Sequence, residues 1–174
     1  MRKYFIYLMF YSVGGFILER FINLFFLGSF YDNSVLIGPY QPLYGAGILM
    51  AIIVYDFFLK HIPNNIVKYL SLLIVAIITT GISEAVTGYG MAHFYNMQLW
   101  DYRDYFPISL QYVGIIPTSL FGVLSFLVIV FIHPFVKRFL NLMPGVIRRN
   151  MFRILLFVFI IDIVYTMFFR LIKI

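Results

Sequence analysis

The chain has 174 residues, of which 63% are hydrophobic and 11% are charged, and its formal net charge is +6. Soluble domains are about 45–50% apolar and about 25% charged, so this composition excludes a soluble globular protein and a disordered chain. The sequence contains no cysteine, which excludes a disulfide scaffold, thiol catalysis and thiolate metal sites. We therefore expect a polytopic membrane protein.

Five apolar stretches are long enough to cross a bilayer, since a spanning helix needs about 20 residues. They predict an all-α transmembrane helix bundle that forms a single domain over residues 1–174, with spans at about Tyr4–Phe26, Tyr40–Leu59, Ile66–Tyr95, Val113–Ile132 and Phe152–Ile172. A cleaved signal peptide is the alternative for the first stretch. Its apolar run continues to Gly28, which is longer than a usual signal core, so we expect a retained helix.

The positive charges predict the orientation of these spans. If the spans alternate, nine cations fall on one side of the membrane, and the positive-inside rule makes that side cytoplasmic, together with the N-terminus. These cations are Arg2, Lys3, Lys60, Lys68, Lys137, Arg138, Arg148, Arg149 and Arg153. Arg170 and Lys173 fall outside, against the rule, and a half-span or re-entrant segment would change this parity.

Two charged features are expected on the cytoplasmic side. The segment Pro134–Asn150 mixes apolar residues with four cations, which predicts a basic interfacial helix lying on anionic lipid. A docking surface for a cytoplasmic partner is the alternative, and no nucleic acid is expected because topology already explains the cations. Asp56 and Lys60 are four residues apart and are expected to pair across one helical turn.

Three acidic residues, Glu19, Glu84 and Asp162, lie within predicted spans. Charged side chains in a bilayer usually face a bundle interior or a watery cavity. Glu19 and Glu84 share helix faces with small or polar residues: Ser12, Gly15 and Asn23 for Glu19, and Ala76, Thr80, Ser83, Thr87 and Gly88 for Glu84. Such stripes let helices approach closely, so both acids are expected to point inward.

A purely structural role is the competing interpretation of these acids. Hydrogen bonds across helices could hold the bundle together, and Glu19 could pair with Arg20 or with Arg103. For Asp162 we favour the structural interpretation.

The start of the second span is unusual. Residues 38–47 contain two prolines and three glycines, which disfavour a regular helix start and predict a broken or re-entrant one. Irregular backbone at membrane depth is buried in protein or lines a cavity, so Tyr40, Gln41 and Tyr44 become candidate residues of a polar site.

The predicted outer loop after the third span contains aromatic and charged residues in alternation from Trp100 to Tyr105, which extends the candidate site. Trp100, Asp101, Tyr102 and Arg103 therefore join Glu19 and Glu84 in it. Tyr105 follows in the same loop.

Several blocks of the sequence resemble the putative ABC-transporter type IV family of small bacterial membrane proteins. In chain order they are Y-S-V-G-G-F-I-L-E from Tyr11, G-P-Y-Q-P-L-Y-G from Gly38, Glu84, L-W-D-Y from Leu99 and F-I-H-P from Phe131. The Gly-Pro block and Trp-Asp-Tyr are the most specific of these. The chain departs from the family where Gly15 stands in place of a frequent Trp, and where residues 109–111 replace a frequent Asn-Gly-Arg step.

The resemblance implies a transport-related subunit, similar to an ABC-transporter permease, in the bacterial inner membrane. The positions of the acids and of the broken second span predict that its polar site faces outward. The sequence has no G-x-x-x-x-G-K loop, so an ATPase would be a separate polypeptide. The expected partners are the lipid bilayer, such an ATPase or another membrane subunit, and further copies of the chain. No cofactor is expected, and no metal site, because His93 alone near Glu84 supplies too few ligands.

Two other functions remain open at this stage. An intramembrane enzyme could act on a lipid or polyprenyl head group at the outer leaflet, with Glu19 and Glu84 as an acid–base pair and His93 assisting. A non-catalytic scaffold or sensor could instead use Trp100, Tyr102 and Tyr105 as its contact surface, since aromatic residues are common binding hot spots.

Overall fold

The computed structural model describes residues 2–28, 34–104 and 109–171. Within these ranges the chain is all-helical, as predicted, and its one β-type pairing is an isolated bridge between Ser109 and Gly114. The helices are α1 (Arg2–Leu27), α2 (Pro42–Phe57), α3 (Asn65–Tyr95), α4 (Ile115–Leu127), α5 (His133–Leu142) and α6 (Gly145–Tyr165). A 3-10 turn over Leu59–His61 follows α2, a π-helical turn over Val128–Ile132 joins α4 to α5, and π-helical Thr166–Leu171 continues α6.

Five of the described helical segments are long and apolar enough to cross a membrane, which confirms the predicted number of spans. They cover Arg2–Phe25, Pro42–His61, Asn65–Tyr95, Ile115–Leu142 and Gly145–Phe169. The fourth is longer than predicted, because α4 runs on through the π-helical turn into α5. The fifth begins earlier than predicted, at Gly145.

The segment Pro134–Asn150 contains most of α5, a basic helix with distinct polar and apolar faces, and the first residues of α6. That α5 lies on anionic lipid stays a prediction. The first part of Pro134–Asn150 is the end of the fourth helical segment and its last part is the beginning of the fifth, with a break at Met143 and Pro144. Proline has no N–H to donate and its ring clashes with the carbonyl four residues earlier, so Pro144 cannot continue α5. It caps α6 instead.

The helix boundaries follow local sequence signals. Pro42 occupies the first position of α2, where its missing N–H costs nothing. The Asn64 side chain accepts hydrogen bonds from the backbone N–H groups of Ile66 (2.9 Å) and Val67 (3.2 Å) and so caps α3. Asn96, with φ of 50°, ends α3 in the left-handed conformation that asparagine tolerates.

The chain divides into two compact units. The first unit comprises residues 1–45 and 140–174, and the second comprises residues 46–139. In the first unit, the Phe5 ring packs edge-on against the rings of Phe152 (5.5 Å between centroids) and Phe159 (5.9 Å), which joins α1 to α6. The single transmembrane domain stays a prediction.

In the second unit, α3 packs closely on α4. A Cβ atom added to Gly122 would lie 2.6 Å from Ile77 Cα, so only glycine fits at this contact. The Thr80 and Ser125 hydroxyl oxygens are 3.5 Å apart across the same interface. The small-residue stripe on α3 therefore serves the close helix approach that the sequence predicted.

Asp56 pairs with Lys137 of α5 rather than with Lys60, which corrects the sequence-based prediction. The Lys137 Nζ atom lies 3.2 Å from Asp56 Oδ1, also within the second unit. Because α2 ends at Phe57, Lys60 lies in the 3-10 turn and not on the next turn of the same α-helix.

Candidate functional site

The Glu84 carboxylate lies at the centre of a small polar cluster, the Glu84 group, which consists of Glu84, Tyr102 and Thr118. Glu84 is on α3 and only 4% exposed. Its Oε2 atom accepts a short hydrogen bond from the Thr118 hydroxyl, and its Oε1 atom accepts one from the Tyr102 hydroxyl at 3.4 Å. A buried carboxylate requires such donors, because an unsatisfied one is costly.

Local geometry brings Thr118 to Glu84. Thr118 belongs to the first turns of α4, and its backbone N–H donates to the Gly114 carbonyl oxygen at 2.9 Å. Gly81, one turn before Glu84 on α3, faces the Thr118 side chain, because a Cβ atom there would lie 3.3 Å from Thr118 Cγ2. The close α3–α4 packing therefore sets the hydroxyl beside the carboxylate.

The Trp-Asp-Tyr sequence directs alternate side chains to different partners, as an extended chain does. The Trp100 indole Nε1 donates to the Tyr112 carbonyl oxygen at 3.1 Å, and Tyr102 contacts Glu84. The Tyr102 backbone N–H donates to the Gln111 carbonyl oxygen at 2.8 Å. This last contact uses only backbone atoms of residue 111, so the departure from the family at residues 109–111 does not remove it.

Asp101 pairs with Arg103. The Arg103 Nη2 atom lies 2.5 Å from Asp101 Oδ2, and the Gln98 amide donates to the same oxygen at 2.9 Å. The hydrogen bonds from Arg103 hold the pKa of the Asp101 carboxyl below its usual range. Both charged residues thus form a local ion pair at the protein surface. Tyr105 lies outside the described residues.

Glu19 is half-buried on α1 in the first unit. Its predicted stripe is confirmed, since Ser12, Gly15 and Asn23 are all buried. A Cβ atom at Gly15 would overlap the Tyr44 side chain. Tyr44 therefore occupies the space beside Gly15. Gly15 itself stands at the position where the family often has a Trp.

Residues 34–41, which we call the lead-in segment, precede α2 and are not helical. This confirms the predicted broken start of the second span. The Gln41 backbone N–H donates to the Ser12 carbonyl oxygen at 2.9 Å, and its side-chain amide donates to Ser34 Oγ at 3.3 Å. Tyr40 is only 4% exposed. This irregular backbone is hydrogen-bonded, as expected, but of its residues only Ser34 and Tyr40 are buried, and Ile37 and Pro39 are exposed.

Asp162 of α6 holds the lead-in segment, an arrangement that the sequence did not predict. Its carboxylate accepts hydrogen bonds from the backbone N–H groups of Ile37 and Gly38 and from the hydroxyls of Tyr40 and Thr166. The signals in the sequence were Asp162 in the middle of an apolar stretch and the Gly38-Pro39 step before α2. Nothing in helical periodicity connects two features more than 120 residues apart.

The candidate residues thus form separate local arrangements. Glu84 and Tyr102 come together, Asp101 and Arg103 come together, and the first unit holds Glu19, Tyr40, Gln41 and Tyr44. Among the described residues, no group of three or more His, Asp or Glu side chains is placed to hold a metal ion.

Five membrane-length helices with buried carboxylates on α3 and α6 define a polytopic helical membrane protein. Residues 6–167 match the family described as Putative ABC-transporter type IV. The match covers nearly the whole chain, and the chain belongs to this family. No curated protein and no solved structure matches the chain.

Proposed function

We propose that the chain is a transport-related, permease-like subunit of a bacterial cell membrane and that the Glu84 group is its polar site. The observation that carries this proposal is the burial of Glu84 on a membrane-length helix between two neutral hydroxyl donors. Ionisable residues inside a membrane are costly and mark ion or substrate pathways by default. Membership of the family supports transport as the class of function.

The hydrogen-bonding capacity of the carboxylate favours Glu84 over Asp162 as the binding group. An ionised carboxylate offers about four lone-pair positions. Glu84 receives two hydrogen bonds from described residues, whereas Asp162 receives four. The described residues therefore fill fewer acceptor positions of Glu84 than of Asp162, and in this proposal a cation or a donor group of a substrate binds at the remaining ones.

The loop that supplies Tyr102 gives the site a charged surface. Asp101 and Arg103 flank Tyr102 and are exposed as an ion pair, so a charged substrate would meet them before it reached Glu84. In this proposal the loop faces outward and the N-terminus is cytoplasmic, because the cations of the α2–α3 and α5–α6 links then lie inside. Glu19, Tyr40, Gln41 and Tyr44 remain candidate polar-site residues of the first unit.

The proposed energy source is a separate ATPase subunit. The sequence has no phosphate-binding G-x-x-x-x-G-K loop, so ATP hydrolysis would occur on a partner. Five membrane-length segments form a small bundle for a complete pathway, which favours additional copies of the chain or another membrane subunit.

The test is purification of the tagged chain from its native membranes in mild detergent, followed by measurement of ATP hydrolysis by the purified complex. We expect an ATPase subunit to co-purify with the natural chain and with the Glu84→Gln variant. Glu84→Gln should lower ATP hydrolysis about tenfold, equivalent to about 1.4 kcal/mol. Asp104→Asn is the matched control, because it also changes a carboxylate to an amide, at an exposed position of the loop that supplies Tyr102.

The outcomes separate the two parts of the proposal. A monomer that recovers no ATPase would overturn the assignment as a transport subunit. An assembled complex in which Glu84→Gln and Asp104→Asn hydrolyse ATP equally fast would overturn the Glu84 group as its polar site. Failure of Glu84→Gln to assemble, with Asp104→Asn intact, would assign Glu84 a structural role instead.

A further inference from the structure

We propose that Asp162 is a positioning residue that fixes the lead-in segment by filling an anion cradle. The cradle consists of four donors: the backbone N–H groups of Ile37 and Gly38 and the hydroxyls of Tyr40 and Thr166. This inference goes beyond the proposed function, because it assigns a role to a buried acid that the polar site does not use.

The geometry of the cradle is that of a fully satisfied carboxylate. Asp162 Oδ1 accepts from Ile37 N at 3.0 Å and from Thr166 Oγ1 at 3.1 Å. Its Oδ2 accepts from Gly38 N at 2.8 Å and from the Tyr40 hydroxyl at 2.5 Å. Two donors on each oxygen use all of the roughly four acceptor positions of a carboxylate.

The donors fit an anion and not merely a polar group. Two successive backbone N–H groups in a turn form a concave site that attracts negative charge. An amide in place of the carboxylate would set its NH₂ group against a backbone N–H in either orientation, because each Asp162 oxygen accepts from one backbone N–H. The cradle therefore favours a side chain that accepts hydrogen bonds on both oxygens.

The turn that presents these donors depends on its glycine. The Tyr40 backbone N–H donates to the Gly38 carbonyl oxygen at 2.8 Å, which closes a tight turn across Pro39. A Cβ atom on Gly38 would overlap the Tyr40 ring. Glycine thus lets the Tyr40 ring fold back beside the turn and reach Asp162.

Burial makes the cradle an important tether of the lead-in segment. The exposed fractions are 8% for Asp162, 4% for Tyr40 and 1% for Thr166. The lead-in segment has no helical hydrogen bonds of its own, so its shape depends on such contacts. Because this segment leads directly into α2, the carboxylate also sets the positions of Tyr40 and Gln41.

The test is chemical rescue in purified protein. The chain has no cysteine, so a single Ser34→Cys substitution reports on the lead-in segment, where Ser34 is 8% exposed. Reaction of this cysteine with a maleimide should accelerate about tenfold when Asp162→Ala is added, since charged hydrogen bonds are lost. Formate, a small carboxylate, should slow the reaction again, whereas neutral formamide should not.

Two matched variants keep the test decisive. Asp162→Asn fills the cradle with an uncharged side chain of the same shape, so its cysteine should also react fast and formate should not slow it. Thr166→Val removes one donor and leaves the carboxylate, so its effect should be smaller than that of Asp162→Asn. If Asp162→Ala fails to fold, the reaction rates of these two variants still test whether the charge of Asp162 holds the lead-in segment.

The proposal is overturned by either of two results. Equal rescue by formate and formamide would show that the cradle needs only to be filled. Natural labelling rates in Asp162→Asn would show that the negative charge plays no part in holding the segment.

Discussion

Glu84 and Asp162 are two of the carboxylates that are buried on membrane-length helices, and they use their oxygens differently. Asp162 receives four hydrogen bonds, two of them from backbone N–H groups. From the described part of the chain Glu84 receives two, both from side-chain hydroxyls. Side chains can rotate away, whereas backbone donors move only with the chain. We therefore expect Glu84 to exchange hydrogen-bond partners and Asp162 to fix the local backbone.

Thr118→Val tests how much the Glu84 group contributes to stability. The change removes the shorter of the two hydrogen bonds to a buried carboxylate, and we expect it to lower the free energy of unfolding by about 1–3 kcal/mol. Tyr102→Phe should cost less, because its hydrogen bond is long, at 3.4 Å, and part-buried. Reversible unfolding in detergent, followed by circular dichroism, measures both.

Thr87→Val is the control for this comparison, since Thr87 is a half-buried threonine on α3, the helix that carries Glu84. It should leave the unfolding free energy close to that of the natural chain. If Thr118→Val is as stable as Thr87→Val, the carboxylate does not depend on the Thr118 hydroxyl.

At the residue scale, the sequence predicted which side chains are buried but not their partners. Helical spacing placed Ser12, Gly15 and Asn23 on the face of Glu19, and the structure buries all three. Thr118 is 34 residues from Glu84 and lies on another helix. Periodicity describes one helix at a time, so it cannot reveal which neighbour supplies a donor.

At the scale of elements, the α3–α4 interface depends on glycine. A Cβ atom at Gly122 would lie 2.6 Å from Ile77 Cα, whereas a Cβ atom at Gly90 of α3 would meet nothing within 4 Å. Substitution of these two glycines by alanine therefore makes a matched pair: the added methyl group has no room at Gly122 and ample room at Gly90.

Gly122→Ala should lower the free energy of unfolding by about 1–3 kcal/mol, because the backbone of α3 must shift to admit the methyl group. Gly90→Ala should be neutral or slightly stabilising, since alanine is the better helix former by about 1 kcal/mol. Detergent unfolding of the two variants side by side measures the difference. Equal stability would mean that α3 and α4 are not packed as closely as described.

The sequence predicted the elements well where a helix is apolar along its whole length. It predicted them less well where an apolar helix continues into a partly polar one. The apolar runs gave five spans, because burial in lipid demands them. The end of the fourth was missed, because α5 alternates polar and apolar faces and so has lower mean hydropathy than α4. The break came at Pro144 and not before Pro134, which is the second residue of α5 and follows the π-helical turn.

At the scale of the whole molecule, the orientation in the membrane can be tested with single cysteines. If the N-terminus is cytoplasmic, the link between α2 and α3 lies inside and the loop after α3 lies outside. In intact cells, His61→Cys should be protected from a membrane-impermeant maleimide and Gln98→Cys should react with it. Both positions are exposed in the structure.

Permeabilised cells provide the control, because both cysteines should then react. The natural chain has no cysteine and gives the background. Labelling of His61→Cys and protection of Gln98→Cys in intact cells would invert the orientation and would place the Glu84 group towards the cytoplasm.

The π-helical turn between α4 and α5 makes the alignment of the fourth segment sensitive to a single residue. The His133 backbone N–H bonds to the Val128 carbonyl oxygen, five residues back. An α-helix rotates by about 100° per residue, so a chain one residue shorter here would turn α5 by about that angle. Lys137 would swing away from Asp56, and His133 would leave its buried position. The number of residues in the π-helical turn thus sets the direction in which each side chain of α5 projects from the helix axis.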